Sequence, residues 1–579
     1  MYNMRICGIK LTHDGSVAVV DDGRLVFCQE SEKRNNNPRY EPIHDLDEIR
    51  CVLVEHGIVP EQIDRFVIDG WDGASDSRLK VSSSGSAREL IGAPYFEGFA
   101  DGVLLPYEGM GLELGGKAYG YSSYPHTAGH VSAAYCTSPF LKADEPALCL
   151  VWDGCIFPRL YHVGPNGARF LENLFPIIGH AYAVGWRYFG PNSRSDQEEW
   201  DLGAAGKLMA YIALGEHKDE ITEEFENLYR AHFAGHTSRA IDFRVNFTKS
   251  QETLQATHRF FEESKSRLRG ERSEDVLSSF HVFIERLLVQ EIALCLLRRK
   301  GISGSRNLCV AGGCGLNIKW NSALRSSGLF DMVWVPPFPN DSGSAIGAAC
   351  AENAARSGFR SLEWSVYCGP TLKRSRPSRE WESVACSLDE LAAIIAGDQP
   401  VVFLSGRAEL GPRALGGRSI LAAATSPTMK QYLNEMKSRE EFRPVAPICI
   451  EDRASEIFSP GTPDPYMLFD HQTREEWRAK VPSIVHLDGS ARLQTVARTS
   501  THHVAQLLVE YERLTGIPLL CNTSANYHGR GFFPDVSSAC EWGRIDHVWS
   551  DGQLWRKRVH TRCSAESELE RVGAGACLT

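Results

Sequence analysis

Short apolar blocks alternate with turn residues from Arg5 to Glu30. Asp14-Gly15 and Asp21-Asp22-Gly23 interrupt the run, which reads as strand, turn, strand, turn, strand. The same layout returns from Ala147 to Phe170, with Asp153-Gly154 and Pro165-Asn166-Gly167 at its turns. The repeat predicts two similar α/β halves. Helical periodicity dominates from about Ser273 to Arg299. A strand over Asn307 to Ala311 then runs into Gly312-Gly313 and a helix. A loop from Pro336 to Asp341 leads into a helix of small residues that begins at Ser344. After Glu352 the pattern breaks. Leu372 to Arg379 is polar and carries Pro377, so a domain boundary is placed near residue 365, dividing the chain into 1–365 and 366–579. The remainder, with a strand over Val401 to Leu404, reads as a further α/β domain. Trp71 to Tyr124 is rich in Gly, Ser and aromatic residues and shows little periodicity. It is too long for a passive connector and reads as a pocket wall or lid.

The length of 579 residues fits more than one domain, and 43% hydrophobic with 23% charged residues is the balance of a soluble globular protein. Met1 to Val20 has no continuous apolar run of the kind a secretory signal needs. The most apolar helical stretch, His281 to Leu297, is interrupted by Glu285, Arg286, Gln290 and Glu291, so no membrane span is expected. The 17 cysteines include no Cys-x-x-Cys pair, which argues against a structural zinc module and for free thiols in the cytoplasm. A net charge of -11 argues against a nucleic-acid surface.

Against that acidic background one cluster is basic. Arg413 and Arg418 lie in Gly411-Pro412-Arg413-Ala414-Leu415-Gly416-Gly417-Arg418-Ser419, followed by Lys437 and by Arg443 in Phe442-Arg443-Pro444-Val445-Ala446-Pro447. Cations beside glycines can reach several oxygens of one small anion while the backbone approaches closely. Arg492 adds another anion clamp. Asn522, Ser524 and Asn526 follow an apolar strand and offer neutral hydrogen-bonding groups. His126 and His130 are one helical turn apart and can share a metal, or else form a surface or capping pair. A third ligand decides between these, and Asp341, at a loop-helix junction, is the candidate, with an N-cap or Asx turn as its other role. Gly312 and Gly313, with Asn317, form a strand-to-helix turn whose N–H groups can meet a phosphate, and Gly206-Lys207 is similar in kind. His13 sits at the first hairpin turn, where it can act as a general base or stabilise the turn with Asp14.

These sets, in order along nearly the whole chain, resemble the O-carbamoyltransferases of antibiotic and nodulation-factor biosynthesis. The matching residues are His13-Asp14, His126-x-x-x-His130, Gly206-Lys207-x-Met209, Gly312-Gly313 with Leu316-Asn317, Asp341-Ser342-Gly343, the Gly411 to Ser419 run, Phe442 to Pro447, and Asn522-Thr523-Ser524-x-Asn526. The resemblance implies an α/β architecture of two domains. The first is a duplicated, ribonuclease H-like domain of the actin-like ATPase type, as in threonylcarbamoyl transferases. The second is YrdC-like. It also implies that carbamoyl phosphate and ATP, with Mg2+, form carbamoyl-adenylate on Arg413, Arg418, Lys437, Arg443, Arg492, Asn522, Ser524 and Asn526. The adenylate then moves to a nucleotide site of Asp153, Gly206, Lys207, Gly312, Gly313 and Asn317. There a divalent metal, Fe2+ or Zn2+, is held by His126, His130 and Asp341, and His13 takes the proton of a hydroxylated small-molecule acceptor. Carbamoyl phosphate, ATP and that acceptor are the implied partners, and a homodimer stays open. The sequence departs from the pattern at Ala205, where an acidic residue is expected, and around Arg530-Gly531-Phe532, where a Glu-Pro pair is replaced. A tRNA threonylcarbamoylation enzyme shares both folds but calls for a basic RNA-binding face. A hydrogenase-maturation carbamoyltransferase calls for zinc-finger cysteine pairs. A non-catalytic nucleotide-binding regulator has no use for a general base at His13.

Overall fold

The computed structural model describes residues 4–71, 77–98, 102–191, 201–233, 250–299 and 306–558. Three large sheets, with a three-stranded and a two-stranded one beside them, form a mixed α/β molecule. In the first, strands stand in the order Arg24–Glu30, Ser16–Asp21, Arg5–Lys10, Arg65–Asp69, Lys117–Tyr124, Tyr107–Leu114. The first three make the expected antiparallel meander, and Arg5–Lys10, Arg65–Asp69 and Lys117–Tyr124 run parallel. The second sheet repeats the plan: the meander Gly167–Asn173, Arg159–Gly164, Ala147–Val151 continues into parallel Asn307–Ala311 and Met332–Trp334. The inner parallel strands are apolar on both faces, because helices cover both.

Two helices, His126–Cys136 and Ser344–Ser357, fill the space between these sheets and share one core with them. Small residues set how closely they pack. A Cβ on Gly347 would fall 2.1 Å from the carbonyl oxygen of Gly129, and one on Gly8 would fall 1.9 Å from that of Ala345. This close seam brings His126, His130 and Asp341 to the same place. A helical layer, including Ala181–Phe189, Ala204–Tyr211 and Ser273–Arg298, packs on the outer face of the second sheet.

The stretch from Trp71 to Tyr124 departs from the lid reading. Its described residues form two hairpins, Ser77–Ser83 with Ser86–Gly92 and Tyr107–Leu114 with Lys117–Tyr124, the latter extending the first sheet. Their turns are Ser84-Gly85 (φ 48° and 78°) and Gly115-Gly116 (φ 59° and 79°), two-residue loops of left-handed residues that match strand twist. The strands hide because they carry Ser, Lys and Gly where β-branched residues would announce them.

The third sheet has eight strands, in the order Trp381–Ala385, Gln553–Lys557, His547–Ser550, Val401–Leu404, Arg418–Ala422, Leu519–Ser524, Ala446–Ile450, Gln494–Val496. Separate apolar cores lie on its two faces. Among the described residues, no strand of the first two sheets follows Trp334 and none of the third precedes Trp381. Every cysteine among the described residues is a free thiol. No described helix is long and apolar enough to cross a membrane.

A candidate metal centre opening onto a cation-lined cavity

The helix His126–Cys136 begins directly after the parallel strand Lys117–Tyr124, with Pro125 as its N-cap residue, and is buried along its whole length. One turn separates its two histidines, so their Nε2 atoms meet 3.0 Å apart. Asp341, in the turn that precedes Ser344–Ser357, places Oδ1 3.3 Å from His126 Nε2 and 3.5 Å from His130 Nε2. Asp153 joins them from the turn after Ala147–Val151, with Oδ2 3.7 Å from His126 Nε2. Donor atoms of all four buried residues lie within 4.8 Å of one another. Asp153, assigned from sequence to the nucleotide set, therefore stands with the metal set.

Residues that sequence reading missed support this cluster. Asp69 Oδ2 is 2.7 Å from His126 Nδ1, which holds a proton there and turns Nε2 toward His130 and Asp341, where a cation would replace any proton on it. Lys10 is fully buried, with Nζ 2.9 Å from both Asp69 Oδ2 and Asp341 Oδ2 and 4.1 Å from the centre of the Trp71 ring. Tyr95 donates to Asp153 Oδ2 at 2.6 Å. Burial opposes ionisation of Asp341, yet Lys10, His126 and His13 hold it well below the usual carboxylate range. Burial likewise opposes charge on His126, but Asp69 and Asp341 raise it well above the usual imidazole range. Lys10 thus pairs with two ionised aspartates, Asp69 and Asp341, while the ionised Asp153 is held by Tyr95, and two imidazoles converge on them. A divalent cation fits this donor set and its excess negative charge.

His13 stands at the rim. Its Nδ1 lies 2.9 Å from Asp14 Oδ2 and its Nε2 lies 3.6 Å from Asp341 Oδ2. Burial would keep it neutral, but Asp341 and Asp14 raise its pKa above the ordinary value. A cavity of about 950 Å³ opens here. His13, Asp153 and Asp341 line it from the first two sheets, with Gly206, Lys207, Gly313 and Asn317 along one wall. Arg413, Lys437, Arg443 and Arg492 line it from the third sheet, together with Asn522, Ser524 and Asn526.

Several expected ligands are otherwise engaged. Arg418 is buried away from the cavity, and its guanidinium donates to the carbonyl oxygens of Ser405, Gly417 and Gly406 at 2.9 to 3.0 Å. It braces the glycine loop and is not an anion ligand. Gly312 (φ 86°) does not line the cavity; a Cβ there would strike the Trp152 carbonyl oxygen at 2.3 Å, so this glycine permits close approach of two chains. The Gly313 N–H is taken by Asp153 Oδ1 at 2.6 Å, so it is not free for phosphate. Lys437 Nζ donates to the carbonyl oxygens of Ser524 and Asn526 and to Asn526 Oδ1, which uses its three protons. Lys207 Nζ pairs with Asp201 at 3.3 Å. Asn317 caps its helix through Oδ1 and keeps a buried Nδ2 without a hydrogen-bond partner.

The free positive charge belongs to arginines. Arg439, not singled out from sequence, lines the cavity and reaches Thr523 Oγ1 at 3.1 Å. Burial, then repulsion by Arg443 and Arg39, pulls Arg439 down to about 9; burial with Arg39 and Arg443 brings Arg413 to about 10. Burial, Arg413 and Arg443 lower Arg492 well below its usual value. Arginine keeps its charge at neutral pH, so burial and mutual repulsion leave a positive wall whose crowding a bound anion would relieve.

A buried His/Asp cluster thus shares one cavity with crowded arginines. Residues 5–350 match the family described as "Carbamoyltransferase N-terminus", and residues 392–550 match "Carbamoyltransferase C-terminus". The chain belongs to the carbamoyltransferase family and is an enzyme of that class. Within it, the chain is 62% identical to "Nodulation protein U" of Bradyrhizobium diazoefficiens, over 98% of this chain and 100% of that one. It is 63% identical to "Nodulation protein U" of Rhizobium tropici, over 96% of each chain. It is 30% identical to the "3'-hydroxymethylcephem-O-carbamoyltransferase" of Streptomyces clavuligerus, over 96% of this chain and 99% of that one.

Proposed function

We propose that this chain is an ATP-dependent O-carbamoyltransferase that carries a carbamoyl group from carbamoyl phosphate, through carbamoyl-adenylate, to a hydroxyl of a small natural product. The observation that carries the reading is the shared cavity, with arginines from the third sheet on one side and His13 and Asp341 on the other. In this reading the two meander sheets form an actin-like domain and the third sheet a YrdC-like domain, divided near residue 365. Arg413, Arg439, Arg443 and Arg492 hold the phosphates of the donor and of ATP, whose Mg2+ travels with it. Lys437 holds the loop that presents Asn522, Ser524 and Asn526. Water first hydrolyses carbamoyl phosphate to carbamate and phosphate; a carbamate oxygen then attacks the α-phosphorus of ATP and pyrophosphate departs. The adenylate crosses the cavity without leaving the protein, which limits its hydrolysis. His13 takes the acceptor hydroxyl proton, the oxygen attacks the carbamoyl carbon, and AMP leaves. An iron(II) or zinc ion held by His126, His130, Asp341 and Asp153 would supply electrophilic polarisation of the carbamoyl carbonyl.

The relatives favour a nodulation factor over an antibiotic as acceptor. Free thiols and the supply of ATP and carbamoyl phosphate favour the cytoplasm. The test is to incubate the purified chain with labelled carbamoyl phosphate, ATP and a panel of hydroxylated nodulation factors, and to analyse the products by mass. Labelled product that requires ATP is expected. Transfer that proceeds equally well without ATP contradicts the reading.

A further inference from the structure

The segment from Asn36 to Glu41 has no part in the chemistry above, yet it is strapped to both halves of the molecule. On the side of the first sheet, the Tyr40 N–H donates to Glu32 Oε2 at 3.0 Å, and the carbonyl oxygens of Tyr40 and Glu41 accept from the N–H groups of Asp14 (3.1 Å) and Gly15 (2.9 Å). These are the residues directly after His13. On the side of the third sheet, the Arg39 N–H donates to the Gly529 carbonyl at 2.9 Å, the Gly531 N–H to the Asn37 carbonyl at 3.0 Å, and Arg530 Nη1 to the Asn36 carbonyl at 2.7 Å. Position 531 tolerates only glycine, since a Cβ there would lie 1.9 Å from the Glu32 carbonyl oxygen. Tyr40 is held at φ 65°, a left-handed conformation that a bulky side chain rarely adopts. Strain of this kind persists where the surroundings over-determine the backbone, and it concentrates at functional sites.

The strap delivers one side chain. Arg39 lines the cavity, with Cζ 4.9 Å from the centre of the Tyr40 ring. Its guanidinium makes no hydrogen bond or ion pair among the described residues. The charged groups that face it are Asp14, Glu30 and Glu32 from its own half and Arg413, Lys437, Arg439 and Arg443 from the other. Tyr40, Glu32, Asp14 and Glu30 on its own side raise its pKa against the desolvation that opposes charge, so it stays charged, and its guanidinium, without a hydrogen bond and facing four cations across the cavity, can take an anion placed between them. We infer that Arg39 is a phosphate ligand, supplied across the cavity by the half that carries His13 to the arginine cluster of the other half. The inference rests on the proposed function for the identity of the phosphate, which belongs either to the nucleotide or to the carbamoyl donor. Its position between the arginine cluster and the His13 turn suits a cation that keeps hold of the adenylate phosphate while the carbamoyl end reaches the acceptor.

The experiment is calorimetric titration of the full chain, as wild type, Arg39→Ala, Arg39→Gln and Arg39→Lys, with ATP and separately with inorganic phosphate. Loss of one charge-assisted bidentate contact is expected to weaken binding about ten- to a hundredfold in the Ala and Gln variants, with Lys recovering part of it. Thermal melting should match wild type, because the side chain is exposed and unpaired. Weakening confined to ATP assigns the contact to the nucleotide, and weakening with inorganic phosphate assigns it to the donor. Affinities of both Ala and Gln variants equal to wild type for both probes overturn the inference. So does Arg39→Lys binding as weakly as Arg39→Ala with a lowered melting temperature, which marks a structural role. A wild-type chain that binds ATP through Arg39 but transfers no carbamoyl group leaves this inference standing and overturns the proposed function alone.

Discussion

Asp69 touches no substrate-facing surface, yet it sets which nitrogen of His126 is available. Its carboxylate, 2.7 Å from Nδ1, holds the proton on that nitrogen, while His126 and Lys10 keep it ionised inside the protein against burial. Asp69→Asn should leave the fold in place and weaken metal binding about 10- to 100-fold, measured by competition with a chromogenic chelator. Wild-type protein is expected to carry about one equivalent of metal and His126→Ala to carry none. Full occupancy in that variant contradicts the metal assignment. At this scale the sequence was informative where chemistry follows from local spacing. His126 and His130 are readable because four residues make one helical turn, and Asp341 because it sits at a loop-helix junction. Lys10 and Asp69 were not readable. Each lies within an apolar strand, and only the pairing of Arg5–Lys10 with Arg65–Asp69 brings them together. Arg418 and Arg439 are alike as letters. Burial beneath four loop carbonyls makes the first a brace, and exposure to the cavity leaves the second able to meet a ligand.

The glycine loop from Gly411 to Ser419 is shaped by a buried acid just before it. Glu409 Oε1 accepts from the N–H groups of Leu415 (2.7 Å), Gly417 (2.7 Å) and Arg418 (3.0 Å). Lys33, from the first sheet's side, donates to the carbonyls of Glu409 (2.7 Å) and Gly411 (2.6 Å) and pins the loop from the other side. Glu409→Ala strands three buried donors and should cost at least about 3 kcal/mol in urea unfolding. A loss under about 0.5 kcal/mol, the range of ordinary surface changes, contradicts this role. A later helix, His503–Thr515, is capped by His502, whose Nδ1 accepts from the Val504 N–H. Burial lowers the His502 pKa to about 4. The unfolded chain protonates this histidine below about 6.5 and the folded one does not, so its contribution is lost as pH falls from about 6.5 to about 4. His502→Asn keeps a capping acceptor and should remove close to one proton from the slope of stability against pH in that window. An unchanged slope contradicts the assignment. Element positions were largely legible, since both meanders and the helices at 126, 273 and 344 follow their patterns. The hairpins between 77 and 124 were not, because their polar alternation gains meaning only when one face meets a sheet.

At the scale of the whole molecule, the chain brings two chemistries to one enclosed space. The repeat of meander and parallel strands builds the side that holds His13 and the His/Asp cluster, and the third sheet builds the side that holds the arginines. Neither side has a use for the other unless something made among the arginines is consumed beside His13. That dependence is the central claim, and His13→Asn separates its two steps while preserving a small polar residue at the turn. The measurement is rapid-quench analysis of the full chain, with carbamoyl phosphate, ATP and acceptor, following pyrophosphate, carbamoyl-adenylate and carbamoylated product together. In His13→Asn, pyrophosphate release and adenylate formation should continue, the adenylate should accumulate, and product formation should fall roughly 10²- to 10⁴-fold. Equal loss of both steps, or product formed at the wild-type rate, contradicts the account.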